Sequence, residues 1–159
     1  VNPKHARVTY RQADNLINQV ANGLIALGLS KGTRVAMLVE NSAEAWLSKI
    51  AIAKAGMVAA PINIMMASDV IDECLTHVGA EIVIADAAQW DRLGGDLIHS
   101  GLVPIMMISG PDGGDTPSFD DFIADQSIEE PDVKIHGDDI WEVLFTSGTT
   151  GCLGGTKAQ

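Results

Sequence analysis

The sequence predicts an α/β fold, a mostly parallel sheet covered by helices on both faces. Two observations carry this prediction. Short apolar runs such as 34–39 and 81–85 are continuous rather than alternating, the mark of strands buried on both sides. Between them lie segments whose apolar residues recur at helical spacing, long enough to be crossovers between parallel neighbours.

The elements follow in order. Thr9 and Gln12 match a capping box, in which each side chain satisfies a backbone donor of the first turn. Leu16, Ile17, Val20, Ala21, Leu24 and Ile25 continue that helix, and Gly28 stops it. After the Lys31-Gly32 turn, 34–39 is the first strand. Asn41 or Ser42 caps a second helix carrying Trp46, Leu47, Ile50 and Ala51, which Gly56 ends. Residues 57–62 form a strand. Ser68 caps a third helix through Ile71, Cys74, Leu75 and Val78, closed by Gly79. A strand over 81–85, a helix over 88–99 and a strand over 102–108 come next. Glycine and proline punctuate 109–117 as a loop. Ser118 caps a short helix, an acidic loop follows, and 140–145 is the last strand.

Composition narrows the function. At 159 residues the chain fits one domain, which at this length buries roughly 70% of its unfolded surface. The formal charge is −11, and an acidic excess with no basic patch argues against nucleic acid and anionic membranes as partners. Cys74 and Cys152 show neither metal-ligand spacing nor a disulfide framework, so a reducing cytoplasm is the expected compartment. Residues 1–7 lack the apolar core of a signal peptide. They also lack an initiator Met, so the chain is expected to begin inside a longer protein. The longest uncharged apolar stretch, 55–68, contains Pro61 and Asn63 and is too short to span a bilayer.

The chemistry-bearing feature is the run after the last strand: Thr146, Ser147, Gly148, Thr149, Thr150 and Gly151. In open α/β sheets, ligands bind beyond the carboxyl ends of strands. Glycines let successive N–H groups converge on one anion, and the hydroxyls supply further donors. Neither the Walker pattern nor the Gly-x-Gly-x-x-Gly fingerprint is met. The residue types alone leave two readings open, a phosphate loop and a mobile tail from about Ser147 onward.

The run Leu-Phe-Thr-Ser-Gly-Thr-Thr-Gly ending at Gly151 resembles the phosphate loop of the adenylate-forming superfamily of acyl-CoA synthetases, adenylation domains and luciferases. The resemblance extends upstream in the expected order. It takes in Thr9-Tyr10 with Asn18 and Ala21, Gly32-Thr-Arg-Val-Ala36, Glu40-Asn-Ser-Ala-Glu44 and Lys54-Ala-Gly56 with Pro61-Ile-Asn63. His77-Val-Gly-Ala80 and Ile84-Ala-Asp86 complete the series. It implies activation of a carboxylic acid by ATP and magnesium through an acyl-adenylate, then transfer to the thiol of coenzyme A or a carrier arm. The matched loop would wrap the β- and γ-phosphates, where positioning and charge stabilisation do most of the catalysis.

Two departures qualify this implication. The family continues x-Pro-Lys-Gly, whereas this chain has Cys152, Leu153, Gly154 and Gly155, so a glycine stands where the lysine would be. At an effective dielectric of ~20, a unit cation about 4 Å from an anion contributes roughly 4 kcal/mol. The family's chains are also far longer. Residues 1–159 are expected to be one α/β subdomain ending just after the phosphate loop at 146–155, the N-terminal fragment of an acid–CoA ligase. It should be inactive alone, with no catalytic residue or metal ligand and no tightly bound cofactor, and should self-associate through the face left uncovered. The alternative is a non-catalytic assembly or regulatory module with a remnant loop. Plainer roles suit the rest. His5, His77, His99 and His136 read as surface or capping residues, Trp46, Trp90 and Trp141 as packing residues, and Met65, Met66, Met106 and Met107 as core filler. The paired aspartates at 120–121 and 138–139 read as loop and helix-start charges.

Overall fold

The computed structural model describes residues 5, 7–95, 97, 101–109, 115–145 and 155–158, the last four by backbone alone. Helix α1 (Tyr10–Ala26) opens with the capping box. Thr9 Oγ1 accepts the Gln12 N–H at 3.3 Å, and Gln12 Oε1 accepts the Thr9 N–H at 2.8 Å. Val20, Ala21 and Leu24 of its inner stripe are fully buried. Strand β1 (Arg34–Leu38) follows, then α2 (Ala43–Lys54), capped by Ser42, whose hydroxyl accepts the Ala45 N–H at 3.1 Å. The chain continues through β2 (Val58–Pro61), α3 (Ser68–Val78), β3 (Ile82–Ala85), α4 (Ala87–Leu93), β4 (Pro104–Met107), α5 (Phe119–Ile123), β5 (Glu142–Phe145) and β6 (Gly155–Ala158).

The six strands are ordered β4-β3-β1-β2-β5-β6. β1 to β5 pair in parallel, and β6 alone runs antiparallel, on β5. The pleat divides the core. Val35, Met37, Ala59, Ile84 and Met106 face α1, α2 and α5, while Ala36, Leu38, Val83 and Ala85 face α3 and α4. Crossovers that travel toward β5 use one face and those that travel toward β4 use the other, as a single handedness of crossover requires. The predicted α/β sheet, mostly parallel with helices on both faces, is thus the observed one.

Several local expectations are corrected. Ser68 is the first residue of α3 rather than its cap; Ala67 takes the cap position without a side-chain bond. α4 stops at Leu93, because consecutive glycines at 94 and 95 cost too much backbone entropy to continue it. The strand over 140–145 is not the last. β6 was not legible because Gly-Thr-Lys-Ala carries no apolar pattern, and its pairing overtakes the mobile-tail expectation for 155–158. Trp46 and Met65 are 57% and 87% exposed, so neither fills the core. His5 is buried instead of lying on the surface: its Nε2 meets Asp120 Oδ1 at 3.0 Å, and its ring packs edge-on against Phe119.

Candidate functional site

The carboxyl edge of the sheet is built around one buried carboxylate. Asp86 follows β3 and begins α4. Its Oδ2 accepts the Glu40 N–H at 2.5 Å, and its Oδ1 accepts the Ser109 hydroxyl at 2.8 Å. Glu40 Oε1 accepts from Gln89 Nε2 at 2.9 Å, and Gln89 Oε1 accepts from Arg92 Nε at 3.2 Å. Arg92 then donates to the Ile64 carbonyl at 2.5 Å. These bonds join the ends of β1, β2, β3 and β4 into one fixed rim. Its sequence signal is the acid placed directly after a continuous apolar strand.

β5 ends on this same edge, because it runs parallel to β2. Phe145 is its last residue and packs against the core beneath α3 and α4. Gly155, the first residue of β6, is paired with Phe145. Thr146, Ser147, Gly148, Thr149, Thr150 and Gly151 therefore follow directly from a strand's carboxyl end, while they themselves lie outside the described residues.

The approach to β5 has no regular structure over 126–141, and side chains hold it instead. Asn18 Nδ2 donates to the Ile128 carbonyl at 2.8 Å, and Asn22 Nδ2 donates to the Ser127 and Glu129 carbonyls, both at 2.9 Å. The two asparagines stand one turn apart on α1 and replace the ladder that this segment lacks. Lys31 donates to the Lys134 carbonyl at 2.9 Å and pairs with Asp139. The Lys31 hydrogen bond, reinforced by the His136 N–H, lowers the Asp139 carboxyl below its usual range. The sign follows: this contribution to stability is present above the ordinary carboxylate pKa and is lost as pH falls through the lowered one.

One charge pair lies under β5 itself. Glu142 is 3% exposed and pairs with Lys49 of α2, whose ammonium also sits 5.4 Å from the Trp141 ring centroid. The sequence reading missed this pair, since residues 93 positions apart announce no contact. Burial raises the Cys74 thiol above its ordinary range, with Glu73 adding to the effect, so Cys74 is an inert core residue. No group of three or more His, Cys, Asp or Glu among the described residues could hold a metal ion. No helix among them is long and apolar enough to cross a membrane. A concavity of about 750 Å³ opens at the amino ends of β1, β2 and β5, away from the Asp86 rim.

Known proteins resemble this arrangement. A family model described as AMP-binding enzyme matches residues 1–153, a span that includes the whole 146–151 run. The long-chain-fatty-acid–CoA ligase FadD13 of Mycobacterium tuberculosis is 36% identical over 145 residues, covering 91% of this chain and 28% of that one. The 4-coumarate–CoA ligase 1 of Petroselinum crispum is 27% identical over 143 residues, 90% of this chain and 26% of its own length. Among solved structures, the anthranilate CoA ligase AuaEII in complex with anthranoyl-AMP superimposes with a TM-score of 0.85 at 30% identity. That match covers 94% of this chain and 29% of that one. The chain thus spans less than a third of the length of each of these relatives.

Proposed function

Because the chain belongs to the AMP-binding enzyme family, we propose that it is the N-terminal part of a cytoplasmic acid–CoA ligase. The enzyme activates a carboxylic acid with ATP as an acyl-adenylate, releases pyrophosphate, and transfers the acyl group to coenzyme A. The observation that supports this best is that β5, which ends at the carboxyl edge of a parallel sheet, is followed directly in sequence by Thr-Ser-Gly-Thr-Thr-Gly. There, Thr146, Ser147, Thr149 and Thr150 hydroxyls and the amides around Gly148 and Gly151 hold the β- and γ-phosphates of ATP. Magnesium neutralises phosphate charge when bound, and none of the chain's described residues is assigned to it. What these residues do is position the phosphates and donate hydrogen bonds as charge moves to the leaving pyrophosphate.

On this reading, residues 1–159 are a single α/β subdomain that performs no adenylation alone, and the uncovered face of the sheet self-associates. Gly154 in the lysine position favours a second reading, a non-catalytic module with a remnant loop. ATP–pyrophosphate exchange over fatty and aryl acids tests both readings, on this chain and on the longer protein to which it belongs. We expect exchange from the longer protein alone. Exchange by the 159-residue chain overturns the inactivity, and silence from both with every acid favours the module.

A further inference from the structure

Of the parallel pairings, that of β5 with β2 is the shortest. β1 meets β2 and β3 across four positions each, while β5 meets β2 at one, Ala59 opposite Glu142. There the Ala59 N–H donates to the Trp141 carbonyl at 2.9 Å. β6 pairs with β5 across four positions but with no other strand, so one short ladder joins this β5–β6 ribbon to the rest of the sheet. On the α2 side of the sheet, the positions neighbouring Glu142 are apolar: Ala59 on β2, then Val35 and Met37 on β1. A carboxylate buried in that row is costly unless a cation meets it. Lys49 supplies the cation from α2, and its side chain is 29% exposed against 5% for Glu142. Trp141 closes over the same ammonium, so both residues that enter β5 are held by Lys49. Two residues further along, Leu144 is 42% exposed, which confines the cover on this face to the level of Glu142.

We infer that Lys49 and Glu142 are positioning residues: their pairing seats β5 on β2 and so aims the 146–151 run that the strand carries. The inference rests on the phosphate-loop reading above. An apolar pair would also seat the strand, so the pair is needed as a pair, and each member alone is harmful.

The experiment uses the 159-residue chain with two readouts. Hydrogen exchange at the Ala59 amide reports the seating of β5 without any ligand. Backbone amide shifts during titration with inorganic pyrophosphate report the loop. In Lys49→Met we expect Ala59 protection to fall and pyrophosphate affinity to drop roughly tenfold, as small misplacements of binding groups do, while far-UV circular dichroism stays native. Lys49→Arg should keep both readouts near wild type. The double variant Lys49→Met/Glu142→Leu should recover Ala59 protection and bring affinity back to within about threefold, the non-additivity expected of a direct partner. Unchanged Ala59 protection in Lys49→Met overturns the inference whatever pyrophosphate does. Lost protection with unchanged affinity overturns the aiming role. If the wild-type chain shows no pyrophosphate shifts, the phosphate-loop reading fails and the aiming role fails with it. Should Lys49→Met not fold, Glu142→Gln replaces it under the same criteria.

Discussion

At the scale of single residues, the fold depends on a few positions where only one residue type suits the backbone. Gly56, at the turn between α2 and β2, has φ +72°, and a Cβ placed on it would lie 2.9 Å from Val133 Cγ1. Its N–H donates to the Ala53 carbonyl and its carbonyl accepts the Gly32 N–H at 2.8 Å, so this backbone cannot drift to a more ordinary conformation. Gly56→Ala should therefore destabilise the chain by about 1–3 kcal/mol, from left-handed strain together with the displaced Val133. Urea unfolding measures it, and an unchanged midpoint would show that the turn relaxes. This glycine was legible in sequence as a helix stop. Other residues were not, because their partners are distant. The His5 pairing to Asp120 spans 115 positions, and Lys49 to Glu142 depends on how α2 lies over β5. Trp46 was misread because a large aromatic beside Leu47 in an apolar helix suggests core, whereas one step of helical rotation carries it to the surface.

At the scale of elements, the strongest local signals became the sharpest boundaries. The Thr9–Gln12 box closes both ways, and α1 is also the surface on which Asn18 and Asn22 hold the approach to β5. Thr9→Ala should cost about 0.5–2 kcal/mol, read as a lowered thermal midpoint, while Thr9→Ser should cost much less. Equal losses in the two variants would mean that the hydroxyl bond contributes nothing. Ser118 repeats the box with Asp121 over α5, and Asp120 meets His5, so each member of that acidic pair has a structural partner. Strands β1, β2 and β3 were legible to within one residue because their runs are largely buried on both faces and so almost uniformly apolar. The pattern gives out at α4, where two glycines decide the end, and at β6. The candidate site divides in the same way. The residues proposed to bind phosphate stand out as a contiguous motif, whereas the Asp86 rim joins residues from four loops and emerges only once the strands are ordered.

At the scale of the whole molecule, the two faces are covered unequally. α3 and α4 pack over β1, β3 and β4, while the amino-end concavity at β2 and β5 joins Val58, Val78, Ile140 and Val143 with the charged Lys31, Arg34, Asp138 and Asp139. Across a wider face, burying about 800 Å² of mostly apolar surface at ~25 cal/mol per Å² could offset the entropy of pairing two chains. The charge of −11 opposes association, and salt screens that repulsion beyond roughly 8–10 Å. We therefore expect sedimentation at micromolar concentration to show a dimer or larger species, favoured by added salt. A sharp 16.8 kDa species at low and moderate salt would refute it. The strand order has a separate consequence for how the chain is made. β2 joins β1, β3 joins the free side of β1, β4 extends that side, and β5 and then β6 extend the other. Each new strand meets an edge that already exists, and none must be threaded between two that are already paired. A ribosome releasing the chain from its amino end could therefore assemble the sheet outward from β1, with β5 docking only after its supporting neighbours have set.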